Sequence, residues 1–425
     1  MIQPWYVLYN YIVLPVLYII LYLLGFFNEK IKRGIKGRKT LFFDLATNIK
    51  KIDKEKKTIW FHSSSMGEFE QAKPIIEKLR KEKNVNIIVT FFSPSGYENS
   101  LKYPYADVIS YLPFDTPRLA EKFVKIIKAD AVVFMRYDIW PNIILQIQKY
   151  KIPSFIVDAT MRSDSKRKLP FIKNFHKKLY SGFSKILTVS DADVNNFLSF
   201  GIDGGKVTAV GDTRFDRVYQ KSIQAKEKKL LPDNFFNGKK VFVFGSSWES
   251  DEEVVFPALM KLLRYDPDTI VIVVPHEPTI LHLEKIEHTF INKFSTIRFS
   301  YLNNYNNERV IIVDSIGILL TLYYYADVAY VGGSFKQGIH NVLEPAVYGI
   351  PVLFGPKFHN SQEAEILIKL GGAFVISNKR ETYIKLRGLF SNNQSRINTG
   401  NICYGYVNNN IGATDKISEE ICRFI

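Results

Sequence analysis

The chain has 425 residues, too many for a single hydrophobic core, and this length favours two domains of about 200 residues each. Its hydrophobic and charged fractions, 46% and 23%, are ordinary for a folded protein and argue against a disordered chain. The two cysteines, Cys403 and Cys422, have no disulfide or metal-site spacing, which indicates a reducing compartment and argues against secretion. The formal net charge of +15 leaves nucleic acid, anionic lipid or a phosphorylated substrate as candidate partners.

The first predicted element is an apolar helix. Residues 5–27 form a run of 23 residues without charge, rich in Leu, Ile, Val and Tyr. As a helix this run would be about 34 Å long, enough to cross a hydrocarbon core of about 30 Å. A cleaved signal peptide fits poorly, because the run has no basic segment before it and no small-residue cleavage site. We expect a membrane-spanning anchor. A helix bent at Pro15 into one leaflet, or a buried soluble helix, is the alternative.

A basic segment follows the apolar run. Residues 28–57 contain 11 Lys or Arg and 4 Asp or Glu, a net charge of +7 and nearly half of the total. Because basic residues that flank a membrane helix stay on the cytoplasmic side, the rest of the chain is predicted to lie in the cytoplasm. This position directly after the apolar run favours an anionic lipid surface over nucleic acid as the partner.

From residue 58 onward, apolar strands alternate with amphipathic helices. Such alternation predicts parallel sheets that are covered by helices on both faces. The predicted strands are 58–62, 86–92, 131–134, 154–157 and 185–189 in the first half, and 241–244, 269–274, 310–313, 327–331 and 351–354 in the second. The predicted helices in the first half include 69–81, 117–128 and 191–200.

The two series of strands are separated by a segment of mixed charge that contains Pro232 and Asn237-Gly238. We interpret this segment as an interdomain linker. The predicted fold is therefore α/β, with two facing Rossmann-like domains and an N-terminal membrane-anchor helix. The predicted boundaries are 1–28 for the anchor helix, 29–212 for the N-terminal domain, 213–240 for the linker and 241–425 for the C-terminal domain.

The strongest single candidate for catalysis is Glu68. It follows Ser65 and Gly67 where a predicted strand gives way to a helix, in the crevice where open α/β sheets bind ligands. A carboxylate at this point can take a proton from an attacking hydroxyl. It can equally do no more than complement the helix dipole, as acidic residues in first turns often do, and the serines can be simple caps.

A second loop in the N-terminal half, Thr90-Phe-Phe-Ser-Pro-Ser-Gly-Tyr97, repeats this pattern of strand, small polar residues, glycine and helix. Backbone N–H groups at such helix starts bind anions readily, and a phosphate or carboxylate on an acceptor would suit them. The alternative is a tight turn before Gly96 in which Ser93 or Ser95 caps the helix.

The C-terminal half has several small-residue strand ends that we expect to converge on one rim as a cradle for nucleotide phosphates. They comprise Gly245, Ser246 and Ser247, the turn with His276, and Gly332, Gly333 and Ser334. His276 can contact a phosphate or a sugar, or be a structural residue of its Pro-flanked turn. Glu344, at the start of a helix on the same rim, can accept both ribose hydroxyls of a nucleotide or be an unremarkable helix-start glutamate.

Several other kinds of site are disfavoured. His340 and His359 do not combine with carboxylates at metal-ligand spacing, so we expect no catalytic metal and no other cofactor. Walker, G-x-G-x-x-G and G-x-S-x-G motifs do not occur in the right context, which disfavours kinase, dehydrogenase and hydrolase activities.

Taken together, the motifs resemble those of the transferases of 3-deoxy-D-manno-octulosonic acid (Kdo), which are membrane-anchored GT-B glycosyltransferases of lipid A assembly that use CMP-Kdo. The resemblance covers nearly the whole chain, and the ordered set is highly specific although each motif alone would be weak. It rests on the apolar helix followed by Gly37-Arg38-Lys39, and on Trp60-Phe-His-Ser-Ser-Ser-Met-Gly-Glu-Phe-Glu70, Thr90-Phe-Phe-Ser-Pro-Ser-Gly-Tyr-Glu98, Trp140-Pro141-Asn142, Gly211-Asp-Thr-Arg-Phe-Asp216, Gly245-Ser-Ser-Trp-Glu249, Val274-Pro-His-Glu-Pro278 and the stretch from Gly332-Gly333-Ser334 to Gly355-Pro356.

This resemblance implies a metal-independent, inverting transfer of Kdo from CMP-Kdo to a hydroxyl of the lipid A precursor, in lipopolysaccharide core biosynthesis at the cytoplasmic face of the inner membrane. Glu68 would be the base that deprotonates this hydroxyl. The implied donor-binding residues are Gly245, Ser246, Ser247, His276, Gly332, Gly333, Ser334, Asn341 and Glu344. The implied acceptor-binding residues are Ser65, Gly67, Ser93, Ser95, Gly96 and Arg136.

Two segments depart from the family pattern. Many relatives carry a glutamate where this chain has Arg136, two residues before the acidic position Asp138. The family's Pro-Arg-His-Pro-like turn reads Pro275-His-Glu-Pro278 here, without the arginine. The alternatives to a Kdo transferase are another membrane-associated GT-B glycosyltransferase, using a UDP- or GDP-sugar, and a GT-B-like nucleotide-sugar epimerase.

Overall fold

The computed structural model describes residues 4–232 and 234–425. The chain divides into two units, Met1–Arg217 with Ile411–Ile425, and Val218–Asn410. Residues 1–3 of the predicted anchor and residue 233 of the predicted linker lie outside the described residues. Each unit has a seven-stranded sheet with helices around it, and a long apolar helix begins the described chain. The predicted α/β class with two Rossmann-like domains is confirmed.

The sheet of the first unit consists of parallel strands that are rich in Ile, Val and Phe and buried along most of their length. This is the composition expected of strands that are covered on both faces. The strands are β1 (Thr58–Ser63), β2 (Asn86–Phe91), β3 (Val108–Tyr111), β4 (Ala131–Met135), β5 (Ser154–Ala159), β6 (Lys185–Thr188) and β7 (Val207–Ala209). Their order across the sheet is β3-β2-β1-β4-β5-β6-β7.

The sheet of the second unit repeats this architecture. Its strands are β8 (Lys240–Ser247), β9 (Thr269–Pro275), β10 (Thr296–Arg298), β11 (Val310–Ile312), β12 (Val328–Val331), β13 (Val352–Phe354) and β14 (Ala373–Val375). Their order is β10-β11-β9-β8-β12-β13-β14, and neighbouring strands are parallel. In both sheets the first strand of the unit lies near the centre, where the strand order reverses, and this is where doubly wound folds bind ligands.

Helices connect the strands, and several begin at a Ser or Thr cap that accepts a backbone hydrogen bond. The helices of the first unit begin with α1 (Pro4–Leu8) and α2 (Leu14–Phe27), joined by a π-helical turn (Tyr9–Val13), and continue with α3 (Glu29–Gly37), α4 (Leu41–Asn48), α5 (Met66–Lys83), α6 (Pro94–Ser100), α7 (Pro117–Ile127), α8 (Pro141–Lys149), α9 (Pro170–Ser181) and α10 (Asp191–Leu198).

The remaining helices follow the first sheet in the chain. They are α11 (Thr213–Lys228), α12 (Glu249–Tyr265), α13 (Ile280–Phe290), α14 (Leu319–Tyr323), α15 (Leu343–Ala346), α16 (Gln362–Leu370), α17 (Lys379–Ser391), α18 (Asn393–Asn408) and α19 (Ala413–Cys422). Short 3₁₀ turns occur at Ile49–Lys51, Lys166–Lys168, Gly204–Lys206 and Phe299–Asn304.

Alternate residues of each central strand pack into hydrophobic clusters on opposite faces of the sheet. In β1, Trp60 belongs to one cluster, whereas Ile59 and Phe61 belong to the other. In β8, Phe242 and Val243 are divided in the same way. Because successive side chains of a strand point to opposite faces, this division means that helices cover both faces of each sheet. Polar side chains that could bind a ligand are therefore expected at the strand ends.

All ten predicted strands are present, with ends shifted by a few residues. The four strands that the prediction missed are β3, β7, β10 and β14, which are the edge strands of the two sheets. They have only three or four residues each and a single neighbour, so their sequences lack the long apolar run that identifies a central strand.

Two predicted boundaries are wrong. Much of the predicted linker is helical, because α11 starts at Thr213. The predicted C-terminal domain is too long, because residues 411–425 belong to the first unit. The carboxylate of Asp216 accepts hydrogen bonds from Gly412 N at 2.6 Å and Thr414 N at 2.8 Å, and so fixes the start of α19. Ile417 and Ile421 are then fully buried in the cluster beneath β1.

Replacing Ile417 by Ala is expected to destabilise the first unit by about 2–4 kcal/mol, since the change opens a cavity in its core. Hydrogen exchange would locate the effect: amides of α5, which packs against α19, should lose protection while those of β8 and β9 keep theirs. Ile397→Ala, at a side chain that is 46% exposed, is the matched control and should change neither. Loss of protection in β8 and β9 instead would contradict this assignment of the C-terminal helix.

Candidate active site

Glu68 lies at the start of α5, directly beyond the end of β1. Its Oε2 accepts hydrogen bonds from Ser64 N at 2.6 Å and Ser65 N at 3.3 Å, and its own N–H is 3.4 Å from Ser65 Oγ, which completes a capping box. The structural alternative considered above is thus present in the fold. This helix cap uses only Oε2, because Oε1 accepts no hydrogen bond from the described residues. That oxygen is available to a substrate hydroxyl.

The surroundings of Glu68 make its carboxylate a stronger base than a free glutamate. Burial raises its pKa most, and the nearby negative charge of Asp138 raises it further. The N–H groups of Ser64 and Ser65 and the His62 ring act in the opposite direction without cancelling the shift. A raised pKa brings a general base closer to the pH at which it must work, which is the usual tuning for proton abstraction.

A second carboxylate, Asp138, is bound by polar side chains from neighbouring strand ends. Its Oδ2 lies 2.7 Å from His62 Nε2, accepts a hydrogen bond from Trp140 Nε1 at 2.9 Å and accepts another from the Ser64 hydroxyl. Burial alone would raise the pKa of Asp138, but the His62, Ser64 and Trp140 contacts together hold it below its usual value. Asp138 therefore stays ionised beside Glu68.

The His62 side chain is fully buried and is held from its other side by Thr90. Its Nδ1 lies 2.9 Å from Thr90 Oγ1, which also accepts a hydrogen bond from Trp60 Nε1 at 2.8 Å. The Thr90 hydroxyl can then donate to Nδ1, which leaves the ring proton on Nε2, facing Asp138. His62 and Thr90 belong to motifs of the sequence, but no role was predicted for either residue. The available signal was a histidine inside an otherwise apolar, buried strand.

The second N-terminal loop lies next to the Glu68 loop, because β2 pairs with β1. Ser93 N donates to Ser64 O at 2.9 Å, and Ser93 Oγ accepts from Gly96 N at 3.1 Å. A Cβ on Gly96 would lie 2.6 Å from the Phe91 ring, so the loop requires glycine there. The structure thus brings Ser65, Gly67, Ser93, Ser95 and Gly96 to one edge of the sheet. Ser93 is a helix cap, as the alternative interpretation stated.

Arg136 is separate from this loop. Its Nε donates to Gln71 Oε1 at 2.8 Å, and the described residues form no hydrogen bond between Arg136 and residues 93–96. Its backbone is left-handed, with φ +61°, as is that of Asp158 at the end of the adjacent strand, with φ +49°. Strained non-glycine residues of this kind concentrate at functional sites. Burial, with a contribution from Asp212, raises the pKa of Asp158 to about 7, and Arg136 acts to lower it.

In the second unit, the ends of β8 and β12 meet at glycines. Gly332 N donates to Gly245 O at 2.8 Å, and a Cβ on Gly332 would lie only 2.0 Å from Ser246 O. Gly333 is left-handed, with φ +90°, and its N–H donates to Asp251 Oδ2 at 2.9 Å. Both of these N–H groups are therefore bonded within the unit, and the two glycines bring the strand ends together at the carboxyl edge where such sheets bind ligands.

Two of the residues predicted to bind the sugar donor have buried hydroxyls that form hydrogen bonds within the loops. Ser247 Oγ donates to Glu252 Oε1 at 2.7 Å, and Ser334 Oγ accepts from Gly355 N at 2.6 Å. Both serines are fully buried. Their hydroxyls therefore shape the loops, and a ligand would meet the backbone of this rim. Sequence patterns cannot distinguish these two roles, because both require a small polar residue at a strand end.

His276, Trp248 and His340 form a cluster of three stacked rings. The ring centroid of His276 lies 4.5 Å from that of Trp248 and 4.6 Å from that of His340. Trp248 Nε1 donates to His340 Nε2 at 3.1 Å. Burial, with the neighbouring His276, lowers the pKa of His340. The sequence suggested His340 only as a possible metal ligand and carried no signal for this cluster of two imidazoles and an indole.

Glu344 lies in the short helix α15, in the first turn. Asn341 Nδ2 donates to Glu344 Oε1 at 3.3 Å, and Asn341 Oδ1 accepts from Leu343 N at 3.1 Å. Burial raises the pKa of Glu344, while Lys221 and Asn341 lower it. Asn341 and Glu344, both predicted to bind the sugar donor, are thus hydrogen-bonded to each other.

With this geometry described, comparison with known proteins identifies the family. A family model described as "3-Deoxy-D-manno-octulosonic-acid transferase (kdotransferase)" matches residues 41–217. The 3-deoxy-D-manno-octulosonic acid transferase of Aquifex aeolicus (strain VF5) is 30% identical over 341 residues, which cover 79% of this chain and 87% of that relative. This chain belongs to the Kdo transferase family. The predicted resemblance is confirmed, and the chain is a glycosyltransferase of Kdo transfer in lipopolysaccharide synthesis.

Two other similarities widen the comparison of this Kdo transferase family member. A bifunctional glycosyltransferase/methyltransferase of Fusobacterium nucleatum is 28% identical over 367 residues, or 84% of this chain, but the chain spans only 55% of that protein. The crystal structure of UDP-GlcNAc 2-epimerase from Neisseria meningitidis has a TM-score of 0.60 at 16% identity, covering 86% of this chain and 100% of that one. At this identity the second similarity shows the fold alone.

Replacing Gly332 by Ala in this Kdo transferase family member should separate the ends of β8 and β12, because the new Cβ would overlap backbone atoms. We expect the free energy of unfolding to fall by about 1–3 kcal/mol, measured by denaturant titration. The control is Gly388→Ala in α17, where a Cβ has open space. It should be neutral or stabilising by up to about 1 kcal/mol. Equal effects of the two changes would contradict a tight crossing at Gly332.

Proposed function

We propose that this chain transfers Kdo from CMP-Kdo to a hydroxyl of the lipid A precursor, with inversion at the anomeric carbon and without a catalytic metal, at the cytoplasmic face of the inner membrane. The observation that carries the proposal is the Glu68 carboxylate at the carboxyl edge of the first sheet, which has a raised pKa and one oxygen without a hydrogen bond from any described residue. Membership of the Kdo transferase family supports the sugar.

In this reaction Glu68 Oε1 accepts the proton of the acceptor hydroxyl as its oxygen attacks the anomeric carbon of Kdo. The bond from that carbon to the CMP phosphate breaks, and CMP leaves with the bonding electrons. A single displacement of this kind inverts the configuration. The fixed negative charge of Asp138 favours the proton on Glu68, which assists its abstraction.

The acceptor half of the site is assigned to the loops that surround Glu68. Backbone N–H groups at the starts of α5 and α6 suit the phosphate of a lipid A precursor. Ser65, Gly67, Ser93, Ser95 and Gly96 lie in or beside these helix starts. Arg136 supplies positive charge near Gln71, and we assign it to an anionic group of the acceptor.

The donor half of the site is assigned to the rim of the second sheet. The loops of Gly245, Ser246, Ser247, Gly332, Gly333 and Ser334 would line the phosphate of CMP. The N–H groups of Gly332 and Gly333 are bonded to Gly245 O and Asp251 Oδ2, so the donors would be other N–H groups of these loops, and donors aimed at a leaving phosphate stabilise the charge that grows on it. His276, stacked on Trp248, lies where the family pattern has an arginine and can donate a hydrogen bond to the same phosphate. Glu344, held by Asn341, suits ribose hydroxyls.

A second candidate is a GT-B enzyme that uses a UDP-sugar, and the fold shared with UDP-GlcNAc 2-epimerase gives it a specific basis. The two candidates differ in nucleotide preference and in the need for an acceptor. Isothermal titration with CMP and UDP separates them, because the Kdo proposal requires tighter binding of CMP. An epimerase would also convert its nucleotide sugar with no lipid present.

Replacing Glu68 by Gln removes the base but keeps the size of the side chain. We expect turnover of CMP-Kdo and a tetra-acylated lipid A precursor to fall by about 10²–10⁴-fold, since general-base catalysis contributes that much. CMP affinity should not change, because the proposed donor contacts are in the other unit. Mass spectrometry of the product measures transfer and counts the Kdo units. Glu82→Gln, at the far end of the same helix, should retain activity. Wild-type turnover by folded Glu68→Gln protein would contradict the proposed base.

The pH profile tests the electrostatic contribution of Asp138. Glu68 must be ionised to accept a proton, so activity is lost as the pH falls through its raised pKa. Asp138→Asn removes a negative charge that raises this pKa, and the acidic limb of kcat/KM should therefore move to lower pH. Asp164→Asn, at an exposed acid of the same unit, should leave the limb in place. A limb that stays in place in the Asp138 variant would show that this charge does not act on Glu68.

A further inference from the structure

In the second unit, the turn between β9 and α13 is bonded to the end of β8. The His276 N–H donates to Ser247 O at 2.9 Å, so a backbone hydrogen bond joins two loops that are predicted to bind the sugar donor. Two side chains beside these loops form a second connection between them. They are Glu252 of α12 and His282 of α13, and the proposed reaction uses neither of them.

Glu252 is a buried carboxylate close to the start of α12. Its Oε1 accepts a hydrogen bond from Ser247 Oγ at 2.7 Å and lies 2.9 Å from His282 Nε2, and its Oε2 lies 3.1 Å from the same nitrogen. The Glu252 side chain is 6% exposed and the His282 side chain 14% exposed. Because a buried carboxylate that loses its partner is left uncompensated, this contact is worth more than an ion pair on the surface.

Both ring nitrogens of His282 face oxygen atoms that accept hydrogen bonds. Nε2 faces the Glu252 carboxylate, and Nδ1 lies 3.3 Å from Glu277 O, in the turn that carries His276. An imidazole donates from both nitrogens only when it is protonated, so these partners favour the imidazolium form. In agreement, the hydrogen bond to Glu252 raises the pKa of His282, although burial acts in the opposite direction.

The other charges around His282 act in the same direction or are already paired. Glu249 of α12 adds negative charge that raises the pKa of His282 further. Glu249 is itself paired with Lys285 of α13 at 3.1 Å. Lys285 lowers the pKa of Glu249 most, and His282 and Lys336 contribute to this shift. The charge that decides the state of the His282 ring is therefore that of Glu252, its direct partner.

We propose that His282 is a positioning residue for the nucleotide: as an imidazolium, and through Glu252, it holds the Ser247 loop and the His276 turn at one fixed spacing. Its bond to Glu277 O connects it to the turn, and Glu252 connects it to the Ser247 hydroxyl. Loops that are already ordered bind a ligand more tightly, because less freedom is lost on binding. That the ligand is CMP rests on the proposed function, whereas the connection between the loops does not.

Isothermal titration with CMP tests the effect on binding. His282→Ala should raise the Kd of CMP about tenfold at about pH 6, because a buried carboxylate then loses a charged hydrogen-bond partner. The ratio of variant to wild-type Kd should fall to about 2 at about pH 9, where the wild-type ring is neutral. His288→Ala, at an exposed histidine in the last turn of α13, is the matched control and should leave the Kd unchanged. An unchanged Kd in His282→Ala, or a ratio that is the same at both pH values, would overturn the proposal.

Hydrogen exchange of the purified full chain without ligand tests the connection between the loops. In His282→Ala, the His276 amide should exchange about tenfold faster, because its bond to Ser247 O opens more often when the turn is less firmly held. Amides of β13 in the same sheet should keep their protection, and His288→Ala should change neither. Unchanged protection of His276 in His282→Ala would overturn the proposal whether or not CMP binds. Wild-type protein that fails to bind CMP would instead contradict the proposed function, and faster exchange at His276 would still support the connection through His282.

Discussion

The position of β1 between β2 and β4 is the constraint on which the first half of the site depends. His62 is paired in register with Thr90 on one side and Phe134 on the other. A shift of any one of these strands would therefore break its hydrogen bonds to its neighbour. Because all three are parallel and buried, their carboxyl ends emerge at one edge of the sheet. The loops that carry Ser64, Ser93 and Asp138 must therefore meet there. The bond from Ser93 N to Ser64 O then locks two of them together.

Two carboxylates at this edge have pKa values shifted in opposite directions because their partners differ. Asp138 receives side-chain hydrogen bonds from Ser64, His62 and Trp140, which keep its pKa low despite burial. Glu68 receives only backbone N–H groups on one oxygen, and burial with the Asp138 charge raises its pKa. Neighbouring carboxylates whose surroundings push their pKa values apart usually divide the labour of acid–base chemistry. In the proposed reaction the constant charge would belong to Asp138 and the exchangeable proton to Glu68.

The sequence was sufficient to predict the central strands and the loops at their ends, because long apolar runs followed by small polar residues are local signals. It was insufficient for β3, β7, β10 and β14, whose few residues are strands only because a central strand offers a free edge. It also misplaced α19, because the bond from Thr414 to Asp216 joins residues far apart in sequence. At the site, it could not tell that Ser247 and Ser334 are buried, or that His340 stacks on His276. Those features depend on which side of a loop faces the core.

The same packing connects the N-terminal helix to the surroundings of Glu68. Asp115 accepts a hydrogen bond from Tyr9 in that helix and two from the first backbone N–H groups of α8. The residue before α8 is Trp140, whose indole donates to the Asp138 carboxylate. Asp138 in turn raises the pKa of Glu68. Since a buried carboxylate cannot lose one donor without cost, the packing of the N-terminal helix and the surroundings of Glu68 are coupled through Asp115, the start of α8 and Asp138. Under the proposed function, the position of Glu68 toward the acceptor would therefore depend on how this helix packs on the first unit.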